Sequence, residues 1–266
     1  MKYKWYWLLG SIFGLMCFIE GNDLVSTIRF SDIVQYPAFL AIDCMLDFLP
    51  QITHWYMPLL FFQIIYGIYI YRHFCSASIY FFSRNINRKK WFLTESFKLY
   101  GCTLLYLISM LITGIIVKAF YYDIIWNVEG FIILLYYICI HSLYLFAITL
   151  GTNVIAIRFG SSVGFISIMS VNIFFISLYA SLGEIISEDI LYTEYSWLLK
   201  INPFAHLIFK VHSSEIDSVD NIINKYGMSF DLNYSILLFG IISIAFLILG
   251  CIMCEKHEFI KNNIEE

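Results

Sequence analysis

A chain of 266 residues that is 60% hydrophobic and only 14% charged, with a mean hydropathy of +0.76, has too little polar surface for a soluble domain. Its net charge of -4 decides little by itself, no nucleic-acid partner is expected, and seven scattered cysteines, all but Cys44 and Cys75 in apolar runs, give no disulfide framework. The composition points to an all-α polytopic membrane protein, and six runs approach the roughly 20 apolar residues needed to cross about 30 Å of hydrocarbon.

In chain order, the first predicted span covers residues 5–19, with Lys2, Lys4, Trp5 and Trp7 as anchors at one interface. No small-x-small site follows it, so it reads as a retained span rather than a cleaved leader. Residues 20–54 carry Asp23, Asp32, Asp43 and Asp47 against Arg29 and belong outside. Between Pro37 and Pro50, Asp43 and Asp47 stand four apart, which predicts a helix lying on the outer leaflet with both carboxylates on one face. The second span is 55–71.

Residues 72–98 hold the only basic cluster: Arg72, Arg84, Arg88, Lys89, Lys90 and Lys98. Flanked by membrane-length apolar sequence, such a cluster stays on the cytoplasmic side. Ile79 to Ile86, with Phe82 and Arg84 among them, is predicted as a transverse amphipathic helix, followed by a break at which Asn87 caps the next helix. The third span, 99–120, ends near Lys118, whose ammonium is expected to snorkel outwards. A tight outer loop follows with Asp123, Trp126 and Glu129, then the fourth span, 131–150.

An inner loop at 151–162 is expected to turn at Gly151 and Gly160 and to present Arg158, and the fifth span is 163–182. The outer region 183–233 is acidic, with Glu184 and Glu188 near its start. It should hold an amphipathic helix at 187–200 and a second running from Asn202-Pro203 to Val211. The last span is 234–254, and both termini fall in the cytoplasm. On this topology five of the sixteen basic residues lie outside, against fifteen of the twenty acidic ones.

No glycine precedes a lysine, so the chain lacks a phosphate-binding G-x-x-x-x-G-K-[ST] loop, and H-E-x-x-H does not occur. The chain is therefore not expected to be an enzyme. Gln63, His141 and Asn172 lie inside spans, where polar groups turn towards other helices or a pathway. Cys251-x-x-Cys254-x-x-His257 has metal-like spacing without a fourth ligand, and no metal site is expected. The basic cluster can hold anionic lipid or dock a protein. Asp43, Asp47, Glu184 and Glu188 form an acidic outer face that would attract a cationic ligand.

Six spans with both ends inside, a basic amphipathic segment between spans two and three and a long helical region between five and six resemble an ABC-2 type (type V fold) ABC transporter permease. The segment FSRNINRKKWFLTESFK is similar to the linker of small Firmicute permeases of the bacitracin or lantibiotic resistance and peptide-export type, and Asn202-Pro203-Phe204 sits where that superfamily often has Asn-Pro. The resemblance implies a cell-membrane permease subunit of a bacterium that pairs with a second permease chain, identical or different. Two cytoplasmic ATPase subunits would supply ATP and Mg, with no cofactor on this chain. It also implies coupling to the ATPase through Ile79, Phe82, Arg84, Arg88, Lys89 and Lys90, with Arg158 in a second coupling loop. The amphipathic elbow helix that many members carry before span one has no room in Met1 to Lys4. The rival expectations are a membrane receptor or assembly scaffold, and a gradient-driven secondary transporter that would depend on His141.

Overall fold

The computed structural model describes residues 5–19, 27–38, 45–78, 87–186, 196–225, 227 and 229–256. Its helices are α1 (Tyr6–Phe18), α2 (Phe30–Gln35), α3 (Met45–Tyr66), α4 (Tyr69–Ser78), α5 (Arg88–Tyr121), α6 (Val128–Phe159), α7 (Ser161–Ile186), α8 (Ser196–Ile201), α9 (Asp217–Ile223) and α10 (Leu232–Lys256). Among the described residues, α5, α6, α7 and α10 are long and apolar enough to cross a membrane.

Most of the described helices pack on α6. Helices α2, α3, α4, α5, α7, α9 and α10 all contact it, and Tyr144 to Val154 are buried on every side of its turns. That interior placement explains why the inner loop expected at 151–162 is absent. Polar residues Thr149, Thr152 and Asn153 do not break the helix, because each bonds back to the carbonyl one turn earlier, at 2.6, 2.8 and 2.8 Å. Gly151 is a packing site beneath the Phe246 ring rather than a turn. Only Gly160 turns the chain, at φ +92, a region that side chains avoid.

Asn87 does cap α5, its side chain accepting from the Lys90 amide at 3.1 Å. The helix then runs 34 residues, about 51 Å at 1.5 Å per residue, so its first turns project beyond an apolar layer of about 30 Å. The expected span two also changes. Instead of 55–71 with a separate outer helix before it, α3 runs unbroken from Met45 through Pro50 and Pro58 to Tyr66, and α4 starts after a two-residue break. Across the α3/α5 contact the Tyr106 hydroxyl donates to the Pro58 carbonyl at 2.7 Å.

Helix α1 lies against α5 through Gly10 and Gly14. Cβ atoms there would strike the Tyr106 and Met110 carbonyls, so the two backbones touch. At the end away from Arg88, a short parallel pair joins β1 (Thr27–Arg29) to β2 (Asp123–Ile125), with Thr27 opposite Asp123. Beneath it Phe30 of α2 packs on Trp126 and Phe131, at 4.7 and 4.8 Å between centroids. Lys118 does not snorkel: it is buried, with Nζ 5.2 Å from the Tyr36 ring and 5.5 Å from Tyr122.

The expected helix from Asn202 to Val211 is instead two single 3-10 turns. Asn202 forms an Asx turn, accepting from the Phe204 amide and donating to the Phe175 carbonyl of α7, each at 2.9 Å. Of the expected helix at 187–200, the described part is α8. This cap is stapled to α10 by Ser235, whose hydroxyl lies 2.8 Å from His206 Nδ1 and 2.7 Å from His212 Nε2. The remaining ring nitrogens meet the carbonyls of Lys200 and Ile208 at 3.0 and 2.7 Å.

Candidate functional site

Two regions collect the polar residues that the sequence singled out. The first is the end of the protein where α5 begins. Arg88, Lys89 and Lys90 form the first turn of α5, and Lys89 pairs with Glu255 of α10 at 2.9 Å, placing the end of the last long helix beside the basic cluster. Arg158 sits in the last turn of α6. Ile79, Phe82 and Arg84 lie outside the described residues, so the transverse helix expected at 79–86 does as well. The described amphipathic helix here is α4, which begins ten residues earlier.

Two contacts that sequence reasoning missed fix α4. Asn153, buried in α6, accepts from the Tyr71 amide at 2.9 Å and so satisfies one of the donors that a helix start leaves unpaired. Glu95, buried on α5, receives Lys98 at 2.6 Å, His73 of α4 at 3.2 Å and Tyr69 of α4 at 3.4 Å. Burial, then the Glu95 carboxylate, pushes the Tyr69 hydroxyl up to about 12, keeping it a neutral donor. The sequence signal was thin: Glu95 stands three before Lys98, a spacing shared by many surface pairs. Glu95→Gln is expected to lower stability by about 1–2 kcal/mol, discounted because Lys98 and His73 are half-exposed, and a thermal melt in detergent would read it.

The second region is a cleft between α7 and α10, floored by α6. It encloses about 230 Å³ and is walled by Ile168, Val171, Phe239, Ile242 and Phe246, with Pro203 and Phe204 closing its upper end. Its polar wall is Asn172. A chain of side chains leads there: Tyr56 and Tyr144 hydroxyls are 3.2 Å apart, and the Tyr144 hydroxyl is 3.3 Å from Asn172 Oδ1. Because Oδ1 only accepts, Tyr144 must donate to it and Tyr56 to Tyr144. That order leaves Asn172 Nδ2 buried without a partner, an arrangement costing about 1–3 kcal/mol until an acceptor arrives. A dry cavity of ~150 Å³ already holds benzene, so this one has room for an aromatic ring or a short acyl segment.

The cleft brings together only one of the three intramembrane residues expected on a pathway. Gln63, on α3, lies elsewhere, donating to Thr152 of α6 at 3.3 Å while its Oε1 is unpartnered. His141 stacks on Tyr137 at 3.9 Å, donates into the Tyr137 carbonyl at 3.1 Å and does not line the cleft. It is a packed core residue, which gives a proton-driven route through His141 no support. Tyr56 and Tyr144 were hidden among the 20 tyrosines of the chain. Among the acidic candidates, Asp43 and Glu188 lie outside the described residues. Asp47 and Glu184 are helical positions whose side chains are outside them too. Among the described residues no three His, Cys, Asp or Glu side chains gather to share a metal ion.

No protein-family model, curated protein or solved structure matches this chain.

Proposed function

We propose that the chain is the membrane-spanning permease subunit of an ATP-driven transporter, moving an amphiphile that enters the α7/α10 cleft sideways from the bilayer. The observation that carries this reading is the cleft itself: apolar walls for a hydrophobic body and one unpartnered donor, Asn172 Nδ2, for a carbonyl or phosphate oxygen. In this reading α1 and α3 complete six spans, the basic end is cytoplasmic in a bacterial plasma membrane, and both termini lie there. Two separate ATPase subunits, holding ATP and Mg, dock against Arg88, Lys89, Lys90 and Arg158. A second permease chain, identical or different, pairs with this one, and the apolar faces of α7 and α10, where Ile166, Phe174, Leu237 and Ile241 are exposed, face the bilayer.

The cargo is an apolar peptide or antimicrobial-type amphiphile, recognised through its hydrophobic body rather than by an acidic face. Closure of the ATPase pair would push on the projecting turns of α5 and on α4, which Asn153 ties to α6 and Glu95 ties to α5.

Affinity purification from native membranes in mild detergent, with mass spectrometry and an ATPase assay on the eluate, is the test. A co-purifying ATPase, lost when Arg88, Lys89 and Lys90 are reversed in charge, is the expected result. Asn172→Leu should leave that complex intact yet reduce substrate-stimulated hydrolysis about tenfold, the loss of one buried hydrogen bond. A chain that purifies alone, without ATPase after gentle crosslinking, would defeat the permease reading and favour a receptor or scaffold.

A further inference from the structure

The end of the protein opposite the basic cluster holds a second, larger hollow, of about 600 Å³, between α2 and α3 on one side and α9 on the other. Its chemistry differs from that of the cleft. Arg29, at the end of β1, and Lys225, just beyond α9, both line it, against a single carboxylate, Asp32. Among the described residues neither cation has an ion pair: Arg29 has no side-chain partner, and Lys225 Nζ reaches only the Asn221 carbonyl, at 3.5 Å. Asp32, three residues from Arg29, is hydrogen-bonded only by Ser31, at 3.4 Å.

The third observation is Gln35. Its side chain is buried at 6% exposure, lines the hollow, and its Nε2 has no hydrogen-bond partner. An amide N–H left dry requires an acceptor, and two unpaired cations require an anion. One oxyanion meets both demands. Trp55 and Tyr36, packed edge to face at 4.6 Å, supply a flat apolar wall beside it. The size lies within the few hundred to about 1,000 Å³ usual for small-molecule sites.

We propose that this hollow binds an organic acid, a carboxylate or phosphate carried on an aromatic or aliphatic body. The anion lies between Arg29 and Lys225 and accepts from Gln35, and the body rests on Trp55 and Tyr36. The inference is independent of the permease reading, since it uses no residue of the cleft or of the basic end.

The test uses the full chain in phosphatidylcholine nanodiscs, titrated calorimetrically with N-acetylphenylalanine, with phenyl phosphate, and with the neutral N-acetylphenylalaninamide. Both acids should bind one per chain and the amide at least about tenfold more weakly, with the acids losing at least about tenfold in the Arg29→Gln, Lys225→Gln double variant. Both of those side chains are exposed, so the fold should tolerate the change, and a thermal melt checks it. Gln35→Leu, which removes the donor while keeping bulk, should weaken the acids alone.

A second arm adds phosphatidylglycerol to the discs and counts retained lipid by native mass spectrometry. Acid binding in phosphatidylcholine assigns a free acid. One retained phosphatidylglycerol that the double variant loses assigns a lipid headgroup. Equal binding of acid and amide, unchanged binding in the double variant, or neither acid nor anionic lipid held would overturn the proposal.

Discussion

Gly14→Leu is expected to detach α1 from the bundle and to cost about 3 kcal/mol or more, because overpacking at even one tight contact costs about 1–3 kcal/mol. At Gly14 the obstacle is backbone. A Cβ would strike the Met110 carbonyl and lie 2.9 Å from Thr113 Cβ, and one turn earlier Gly10 meets the Tyr106 carbonyl and the Ser109 hydroxyl. In lipid no hydrophobic force pulls two apolar helices together, so van der Waals contact between close backbones has to do it. Forcing the pair apart also lifts Phe13, Cys17 and Phe18 out of the core they now share with α5.

Cys17 is the reporter. It is 3% exposed in the fold and should become open to maleimide in Gly14→Leu, quantified by peptide mass spectrometry alongside a thermal melt. The control is Gly101→Ala, in the same α5 helix, where an added Cβ meets nothing within 4 Å. It should be neutral or stabilise by up to about 1 kcal/mol through helix propensity. Equal protection of Cys17 in wild type and Gly14→Leu would show that the contact carries no such load.

The sequence exposed its long apolar helices because membrane-length hydropathy is a property of each segment alone. It revealed the Asn87 cap because a cap is local, settled within the four residues up to Lys90. The mistakes arose where a residue answers to a distant partner. Gly151, Thr152 and Asn153 look like a loop in isolation. In the fold their polar groups are spent within α6 and on α4, and the glycine fits under Phe246. Pro50 looked like a boundary because in water an interior proline ends helices, whereas α3 runs through it. The candidate site was legible only at Asn172. Tyr56 and Tyr144 matter because α3, α6 and α7 bring three side chains from far apart into one line. No periodicity records that, and Lys118 likewise gave no sign that Tyr36 would cover it.

Acidification is expected to loosen the cap over α10 through His206 and His212, which lie outside the long apolar helices. Burial pushes His206 down to about 4, opposed by its bond to the Lys200 carbonyl. Burial pushes His212 down to about 3; the Ile208 carbonyl opposes this, while His206 and His141 reinforce it. Both folded values lie below the ordinary 6.5, so the unfolded chain takes up protons first. The stabilising contribution is therefore complete above about pH 6.5 and is lost progressively as the pH falls towards 4 and 3. At about 1.4 kcal/mol per unit, His206 alone could forfeit about 3 kcal/mol.

The hydrogen bonds pull the other way for one proton. Four contacts join the two rings to Ser235 and to the Lys200 and Ile208 carbonyls. Two neutral rings and one hydroxyl supply only three protons. The first proton taken up fills the fourth contact, worth about 1.5–3 kcal/mol as a bond to a charged group, and so offsets much of its burial cost. The second has no contact to fill and must meet a like charge, so most of the loss belongs to it. Hydrogen exchange across residues 205–212 should then rise only slightly between about pH 7 and 5 and steeply below that. In Ser235→Ala the compensation disappears, and the rise should start near pH 6.5. Exchange that stays flat to about pH 4 in both proteins would mean that the histidines do not hold the cap.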